Sequence, residues 1–388
     1  MDFSFSEEGL EFADATRKYV EKELIPNAHR WDQGEVVDRA FLRKMGDLGL
    51  LSLRLPTEHG GLGMSFVDCG RIAYEIGRGD VGLSLMVVNA IMFGELSGLM
   101  HPSVRDQWAP KIATGSPFGF TLTEPGAGSD AGNIRTTARA DGDYFVINGE
   151  KSTSTFCGIA DVALVFARTG GPGAKGISCF MVPWDSPGIE VKVYRSSGER
   201  VTQRGSVFYT DLRVHKDTLV GSINGGFREA MQFFDYNRAF LALACMGAAE
   251  QSMDELTEHV KTRETFGQLL GKNQGVTFQM AEHMTRLEAA KLLAYKVLWM
   301  KDTGIPHSKE AAMVKWFGIN EAFRSLHTCL ILSGWPAYSS DLPHERRMRD
   351  VMGLELGDGS PEIMKMVVAR ESIGRFTLPY QRHNPEAA

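Results

Sequence analysis

The chain has 388 residues, of which 43% are hydrophobic and 23% charged, as is typical of soluble globular proteins. This length accommodates two or three domains, or one large multi-layer fold. The formal net charge of −6, without any block of Lys and Arg, argues against nucleic acid as the main partner. A phosphate backbone requires a concentrated basic face.

The five cysteines are widely separated and form no CxxC pair. Their odd number favours reduced thiols over a disulfide framework or a zinc site, so we expect a cytoplasmic protein without a metal. The N-terminus has neither a signal-peptide nor a transit-peptide pattern. The most apolar run, Val81 to Met100, contains Asn89 and Glu95 and predicts a buried helix, not a membrane span.

Helical patterning dominates the first part of the chain, and we assign residues 1–118 to a helical N-terminal domain. Apolar residues recur at helical spacing from Ser6 to about Leu24, and Pro26 is expected to end that helix. The pattern continues to about Trp108, interrupted by the turn-rich segment from Pro56 to Gly63.

A β domain is predicted for residues 119–225, where short β-type runs replace the helical pattern. The dipeptides Asp141-Gly142 and Asn148-Gly149 are both hairpin signals. Gly170 to Gly176 lacks the order of a phosphate-binding loop and is expected to form a hairpin tip. The predicted strands are Arg135–Ala140, Tyr144–Ile147, Val162–Ala167, Ile177–Val182, Ile189–Tyr194 and Val207–Tyr209.

Residues 226–388 are helical again and form the third predicted domain, so the fold class is α+β in the order helical, β, helical. The predicted helices are Phe227–Val260, Gln274–Lys301, Ser308–Leu332 and Pro361–Phe376.

The segment from Thr121 to Asp130 is the most informative stretch, since it holds two glycines and three hydroxyl side chains in ten residues. Such a loop can bring N–H groups and small hydroxyls close to a phosphate-bearing ligand. By composition alone, a tight Pro-Gly turn entering a sheet is the simpler interpretation.

Five segments in order resemble the acyl-CoA dehydrogenase family over the whole chain. Besides Thr121–Asp130 they are Glu58–Gly63, Asn148–Thr155, Arg263–Gln274 and Gly357–Glu371. The resemblance implies a central β-barrel-like or sandwich domain between the helical N-terminal domain and a C-terminal four-helix bundle. It also implies FAD between the β domain and the bundle, a homotetramer built as a dimer of dimers, and an electron-transfer flavoprotein as acceptor.

The resemblance also assigns cofactor contacts to individual residues. Those within one subunit are Leu122 and Thr123 at the ring edge, Gly128 and Ser129 at the pyrophosphate, and Thr155, Ser360 and Glu362. Those reaching the FAD of a neighbouring subunit are Arg263, Phe266 and Gln274. Donors of this kind suit flavin heteroatoms and phosphate oxygens.

Asp358 matches the position where the family most commonly carries its catalytic Glu. The resemblance implies that this carboxylate removes the α-proton of a thioester while the β-hydrogen leaves as hydride to flavin N5. Ser360 is a plausible N-cap and Pro361 suits a first helical position, so Asp358 lies just ahead of a helix. The helix dipole would lower the pKa of Asp358, and burial would raise it. Asp has about 1.5 Å less reach than Glu.

Substrate contacts are implied for Ser129, Asp235, Asn237, Arg238, Gly357 and Gly359. Some family members carry the base at the position of Asn237, and an amide cannot serve in that role. Asp235 and Arg238 match contacts to the thioester and CoA. The backbone N–H of Asp358 is expected to polarise the thioester carbonyl, as an oxyanion hole does.

The acyl specificity rests on departures from the usual pattern. Gly357 replaces a common Tyr and opens space beside a short base, as in members that act on alicyclic thioesters. We therefore expect conversion of cyclohexane-1-carboxyl-CoA to cyclohex-1-ene-1-carboxyl-CoA. Thr153 replaces an aromatic that often flanks the flavin, and Ser333–Tyr338 departs from the usual glycine-rich motif.

Other functions on the same fold remain open at this point. They are a dehydrogenase of branched-chain or carrier-protein-bound acyl groups, a reductase, an oxygen-using flavin oxidase or monooxygenase, and an inactive thioester-binding protein.

Overall fold

The computed structural model describes residues 4–378, so the predicted extension of the third domain to residue 388 lies partly outside the described residues. Helices, a β-sheet and a second set of helices follow one another along the chain. This order confirms the predicted α+β class. The exact domain limits at residues 118 and 225 stay a prediction.

Six α-helices form the N-terminal region from residue 4 onward. They are α1 Glu7–Tyr19, α2 Ile25–Asp32, α3 Arg39–Asp47, α4 Phe66–Gly79, α5 Val81–Leu96 and α6 Pro102–Ala113. The segment Val81–Leu99 is apolar and long enough to cross a membrane, yet 89% of its most apolar window is buried inside the protein. The helix α5 is thus a core helix, as predicted.

Pro26 does not end the first helical segment, so that prediction is wrong. The chain passes from α1 through a π-helical segment, Val20–Leu24, directly into α2, where Pro26 lies in the first turn. Proline lacks an N–H and clashes with the preceding turn of an α-helix. The wider π turn just before Pro26 accommodates the ring, since it changes the bonding pattern locally.

The central region is a mixed sheet of eight strands. They are β1 Phe118–Thr121, β2 Thr137–Asp141, β3 Tyr144–Ser154, β4 Val162–Arg168, β5 Ile177–Pro183, β6 Ile189–Val193, β7 Gly205–His215 and β8 Leu219–Val220. The order is β6-β7-β3-β2-β4-β5-β8, with β1 pairing parallel to β4. A separate core around Phe145, Phe180 and Leu212 fills the sheet's own interior.

The two predicted hairpin signals behave differently. Asp141-Gly142 connects the antiparallel strands β2 and β3, as predicted, and Gly170–Gly176 lies in the connection between β4 and β5. Asn148-Gly149 is not a turn, because β3 runs through it. Gly149 has φ 147° at a register shift against β7, so the dipeptide marks a bulge.

The C-terminal region is a helical bundle with a small two-stranded ribbon. Its elements are α7 Gly226–Thr262, β9 Glu264–Thr265, β10 Gln268–Leu269, α8 Gln274–Asp302, α9 Ser308–Ser333, α10 Trp335–Tyr338, α11 His344–Leu356 and α12 Pro361–Ser372. The helix α9 packs against α7, α8, α11 and α12. The helix α11 was not predicted, and α12 ends earlier than the predicted Phe376.

The N-terminal and C-terminal helices share one core with part of the sheet. A Cβ at Gly77 of α4 would lie 2.2 Å from the carbonyl oxygen of Ala244 on α7, and one at Gly247 would lie 2.2 Å from the carbonyl oxygen of Tyr74. Small residues at this crossing therefore allow the two backbones to approach closely. The sheet packs beside them, so strand β1 and helices α5 and α7 meet.

Candidate active site

The turn between α11 and α12 carries Asp358. The helix α11 ends at Leu356, and the hydroxyl of Ser360 accepts the N–H of Ile363 at 3.4 Å at the start of α12. The predicted cap at Ser360 is thereby confirmed. Asp358 has φ 56°, a left-handed conformation that non-glycine residues adopt rarely, and which is worth attention at a functional position.

The carboxylate of Asp358 is held by a residue from α7. The side-chain amide of Asn237 donates a hydrogen bond to Asp358 Oδ2. Asn237 is 4% exposed, and its Oδ1 has no partner among the described residues. The two positions considered for the base are therefore in direct contact.

Two cations lie next to this turn. Arg238 Nε donates to the carbonyl oxygen of Asp358 at 3.3 Å. Lys315 on α9 donates to the carbonyl oxygens of Glu355 and Gly359, at 3.2 and 3.0 Å. Burial raises the pKa of the Asp358 carboxyl above its ordinary value, and Lys315, Arg238 and Asn237 offset part of that rise. Burial lowers the pKa of the Lys315 ammonium to about 8.

Asp235 and Arg238 complete the cluster. Arg238 Nη1 lies 3.0 Å from Asp235 Oδ1, and the hydroxyl of Ser308 donates to the other oxygen of Asp235. The structure thus brings together the predicted residues Asp235, Asn237, Arg238, Gly357, Asp358 and Gly359.

A buried ion pair fixes the loop that follows β1. Lys151 is fully buried and donates to the carbonyl oxygen of Leu122 and to Glu124 Oε1, both at 2.9 Å. Glu124 also accepts the N–H groups of Arg135 and Thr136, at 2.6 and 2.9 Å. These contacts hold the segment 122–129 against β3.

The outer end of this loop is open. Gly128 and Ser129 are exposed, and neither makes a hydrogen bond to another residue within 4–378. A Cβ at Gly128 would meet only Thr123 Cγ2, at 4.0 Å. Exposed N–H and hydroxyl groups of this kind can bind phosphate oxygens.

Family models for acyl-CoA dehydrogenases match nearly the whole chain. The N-terminal domain model covers residues 6–116, the middle domain model 119–212 and the C-terminal domain model 224–373. The chain belongs to the acyl-CoA dehydrogenase family. It is an FAD-dependent oxidoreductase with the fold of that family.

Individual relatives of this chain carry names that describe different reactions. The short-chain specific acyl-CoA dehydrogenase of Bos taurus is 35% identical over 358 residues, covering 91% of this chain and 87% of the relative. A 3-(aryl)acrylate reductase of Clostridium sporogenes is 32% identical over 370 residues, covering 94% and 98%. A solved structure concerning the electron-transferring flavoprotein of Acidaminococcus fermentans matches with TM-score 0.91 and 30% identity, covering 96% and 99%.

The loop after β1 fits the FAD of this family. Its free donors at Gly128 and Ser129 suit the pyrophosphate, and the ion pair of Lys151 and Glu124 orders the backbone of Leu122. The hydroxyl of Thr155 accepts from Arg204 at 3.0 Å and retains a donor for a ligand.

Three of the other predicted cofactor contacts lie apart from the Asp358 turn, and two lie directly after it. Arg263, Phe266 and Gln274 are exposed around the β9–β10 ribbon and the beginning of α8. No hydrogen bond between described residues joins them to that turn. Ser360 uses its hydroxyl as the N-cap, and Glu362 is exposed in the first turn of α12.

Several residues of this site were not predicted. Lys315 lies in an apolar stretch of α9 and has no sequence motif of its own. Glu199 is buried with φ 50°, and its Oε2 lies 3.0 Å from Arg204 Nη2. Burial, together with Asp80 and Asp358, raises the pKa of the Glu199 carboxyl, and Arg204 lowers the pKa of both Glu199 and Asp358. Only the assembled structure joins these segments.

Proposed function

We propose that this enzyme dehydrogenates an acyl-CoA thioester at Cα–Cβ, with Asp358 as the base. The observation that carries this proposal is the hydrogen bond from the Asn237 amide to the Asp358 carboxylate, in a turn flanked by Lys315 and Arg238. In the reaction the Cα–H bond breaks and its proton passes to Asp358. A Cα=Cβ double bond forms, and FAD, when bound, supplies the acceptor for the β-hydrogen as hydride.

Stabilisation of the thioester oxygen is assigned to the backbone N–H of Asp358. This N–H donates to no other residue among those the structure describes. A free N–H in a rigid turn can stabilise the negative charge that develops on the carbonyl oxygen after proton abstraction. One residue thereby supplies both the base and a donor to the carbonyl.

Cyclohexane-1-carboxyl-CoA is the proposed substrate, with cyclohex-1-ene-1-carboxyl-CoA as product. A Cβ at Gly357 would have no neighbour nearer than 3.9 Å, so space is open beside the base. Phe120 on β1 packs against Phe233 and Phe234, which lie on α7 one turn before Asn237. The ring centroids of the three side chains are 5.6–6.0 Å apart. This aromatic cluster supports a compact acyl group over a long chain.

A second candidate is reduction of an α,β-unsaturated thioester by the same residues. The similarity to a 3-(aryl)acrylate reductase favours it, since the flavin potential sets the direction. In that direction Asp358 would deliver a proton to Cα. Branched-chain or carrier-protein-bound substrates, and an oxidase or monooxygenase, are the other outcomes that an assay must separate.

An electron-transfer flavoprotein as acceptor and a homotetramer as assembly belong to the same proposal. The similarity to a chain from work on an electron-transferring flavoprotein supports this acceptor.

The homotetramer is supported by exposed aromatic side chains in the C-terminal region, which a neighbouring subunit would bury. They are Phe266, Phe278, Trp335 and Tyr338. Light scattering of the purified protein would measure the assembly. A cytoplasmic location stays a prediction.

The substrate is tested by anaerobic mixing of the FAD-loaded enzyme with a panel of CoA thioesters while flavin absorbance is followed. We expect cyclohexane-1-carboxyl-CoA to bleach the flavin faster than butyryl-CoA. Equal or reversed rates contradict the alicyclic assignment. Bleaching by NADH or dithionite only, followed by reoxidation with an acrylate thioester, would establish the reductase. Hydrogen peroxide release under air would identify an oxidase.

A further inference from the structure

Lys315 is the most deeply buried cation beside the Asp358 turn. Its side chain is 1% exposed on α9, in the middle of the C-terminal bundle. An ammonium group loses its hydration when it is buried. Such a group persists only where hydrogen bonds and an opposite charge compensate that loss.

The two hydrogen bonds of Lys315 reach backbone carbonyl groups on either side of Asp358 in the sequence. One goes to the carbonyl of Glu355 in the last turn of α11, the other to the carbonyl of Gly359 just before α12. The segment from Glu355 to Gly359 includes Asp358, with φ 56°, and ends at Gly359, with φ 106°. Lys315 therefore closes a turn whose backbone is left-handed at two consecutive residues.

A second buried lysine in this chain, Lys151, has a carboxylate of its own. This carboxylate is Glu124, at 2.9 Å. Lys315 forms no comparable ion pair within residues 4–378. Burial lowers the pKa of its ammonium group, and the Asp358 carboxylate opposes that shift. The proposed base and Glu355 are therefore the carboxylates that favour the charged form of Lys315.

We propose that Lys315 is the positioning residue of the base: its ammonium group closes the turn that carries Asp358 and stabilises the ionised carboxylate. The inference rests on Asp358 being the base.

Other charged groups act on the same carboxylate. From α7 these are Arg238 and, through Arg238, Asp235; from the segment before β7, Arg204 and Glu199 face it. From α11, Glu355 acts on Lys315. Arg238 and Arg204 remain in a Lys315 variant, so Asp358 would still ionise, at a higher pH.

The test compares FAD-loaded wild type with Lys315→Met and Lys315→Gln. Two rates are measured from pH 5 to 9: flavin bleaching by the thioester, and exchange of the thioester α-hydrogen with ²H₂O. Gln keeps N–H donors for the carbonyls but has no charge, and it is the conservative variant should Met impair folding. Lys296→Met is the matched control, because Lys296 pairs with Glu310 at 3.2 Å elsewhere in the bundle.

We expect the acid limb of both rates to move up by about one pH unit in each Lys315 variant, the usual effect of a nearby opposite charge. Lys315→Met should also lower the limiting rate by about tenfold or more, since misplacement by 1 Å costs up to about a hundredfold. The control should keep the wild-type profile. An unmoved acid limb in Lys315→Gln overturns the inference.

Asp358→Asn separates this inference from the proposal on which it rests. If Asp358→Asn retains α-hydrogen exchange, Asp358 is not the base and the proposed function fails. If Asp358→Asn loses exchange and Lys315→Gln keeps the wild-type pH profile, only the role of Lys315 fails.

Discussion

The amide of Asn237 donates a hydrogen bond to the carboxylate of Asp358, although 121 residues separate them in the chain. Asn237 lies on α7 and Asp358 lies between α11 and α12. The two positions at which the resemblance places a base in different family members are therefore in direct contact. The one that carries an amide supports the one that carries a carboxylate.

Replacing Asn237 with Leu, which has a similar shape and no amide, should weaken the base. The hydrogen bond from Asn237 lowers the pKa of Asp358, so its loss raises that pKa and moves the acid limb of flavin bleaching to higher pH. We expect a rate about tenfold lower at neutral pH, since the carboxylate is also less well oriented. Asn27→Leu, on the distant α2, is the control, and an unaltered pH profile in Asn237→Leu would contradict the role.

The acid limb of the wild-type enzyme should lie above the ordinary range for an aspartate, about pH 4. Burial is the largest influence on Asp358 and raises its pKa. The base acts only when ionised, so the rate falls as the pH falls through that raised value. Single-turnover bleaching measured against pH locates the limb. A limb at or below pH 4 would show that Asp358 is not buried as described.

Moving the carboxylate to α7 tests the contact between the two positions. Asp358→Asn combined with Asn237→Glu should bleach the flavin faster than Asp358→Asn alone, because the new carboxylate lies next to the old one. Asn237→Glu by itself places two carboxylates together, which raises the pKa of one of them and shifts the acid limb upward. A double variant as inactive as Asp358→Asn would contradict the shared location.

Lys151→Met should destabilise the protein and weaken FAD binding. It leaves Glu124 charged and buried, which costs about 3–5 kcal/mol of unfolding free energy. Adding Glu124→Gln removes that charge, so the double variant should be more stable than Lys151→Met. Thermal unfolding and flavin titration measure both effects. Lys192→Met, in an exposed pair with Glu190, is the control, and equal loss there would contradict the assignment.

Gly357→Tyr tests the space beside the base. Gly357 has φ −62°, which any residue can adopt, so the change adds volume without backbone strain. Turnover of cyclohexane-1-carboxyl-CoA should fall about tenfold or more relative to butyryl-CoA, within the range for one altered pocket contact. Gly357→Ala, which adds one methyl group, should keep the wild-type ratio. A proportional fall for both thioesters in the Tyr variant would contradict the size argument.

Much of the fold and part of the site could be predicted from local sequence. The helices α7, α8 and α9 follow from apolar periodicity, and the Ser360 cap follows from one tripeptide. Pro26 and Asn148-Gly149 were misjudged because a π turn and a bulge absorb what would otherwise be a helix stop and a hairpin. A local sequence signal does not show whether a neighbouring π turn or bulge accommodates the residue that would otherwise end a helix or form a turn.

The polar support of the base could not be predicted in the same way. Lys315 is one lysine within an apolar helix, and its role depends on carbonyl groups about forty residues later in the chain. Backbone acceptors leave no sequence pattern. The contact of Asn237 with Asp358 likewise depends on how α7 packs against the turn between α11 and α12. This packing is a tertiary property.

The most direct test of the central claim is α-hydrogen exchange by Asp358→Asn. Wild type and variant, both loaded with FAD, are incubated anaerobically in ²H₂O with cyclohexane-1-carboxyl-CoA, and deuterium at Cα and flavin absorbance are followed together. We predict exchange and bleaching in wild type and the loss of both in the variant, with the thioester still bound. Exchange or bleaching by the variant at the wild-type rate would show that another group removes the proton.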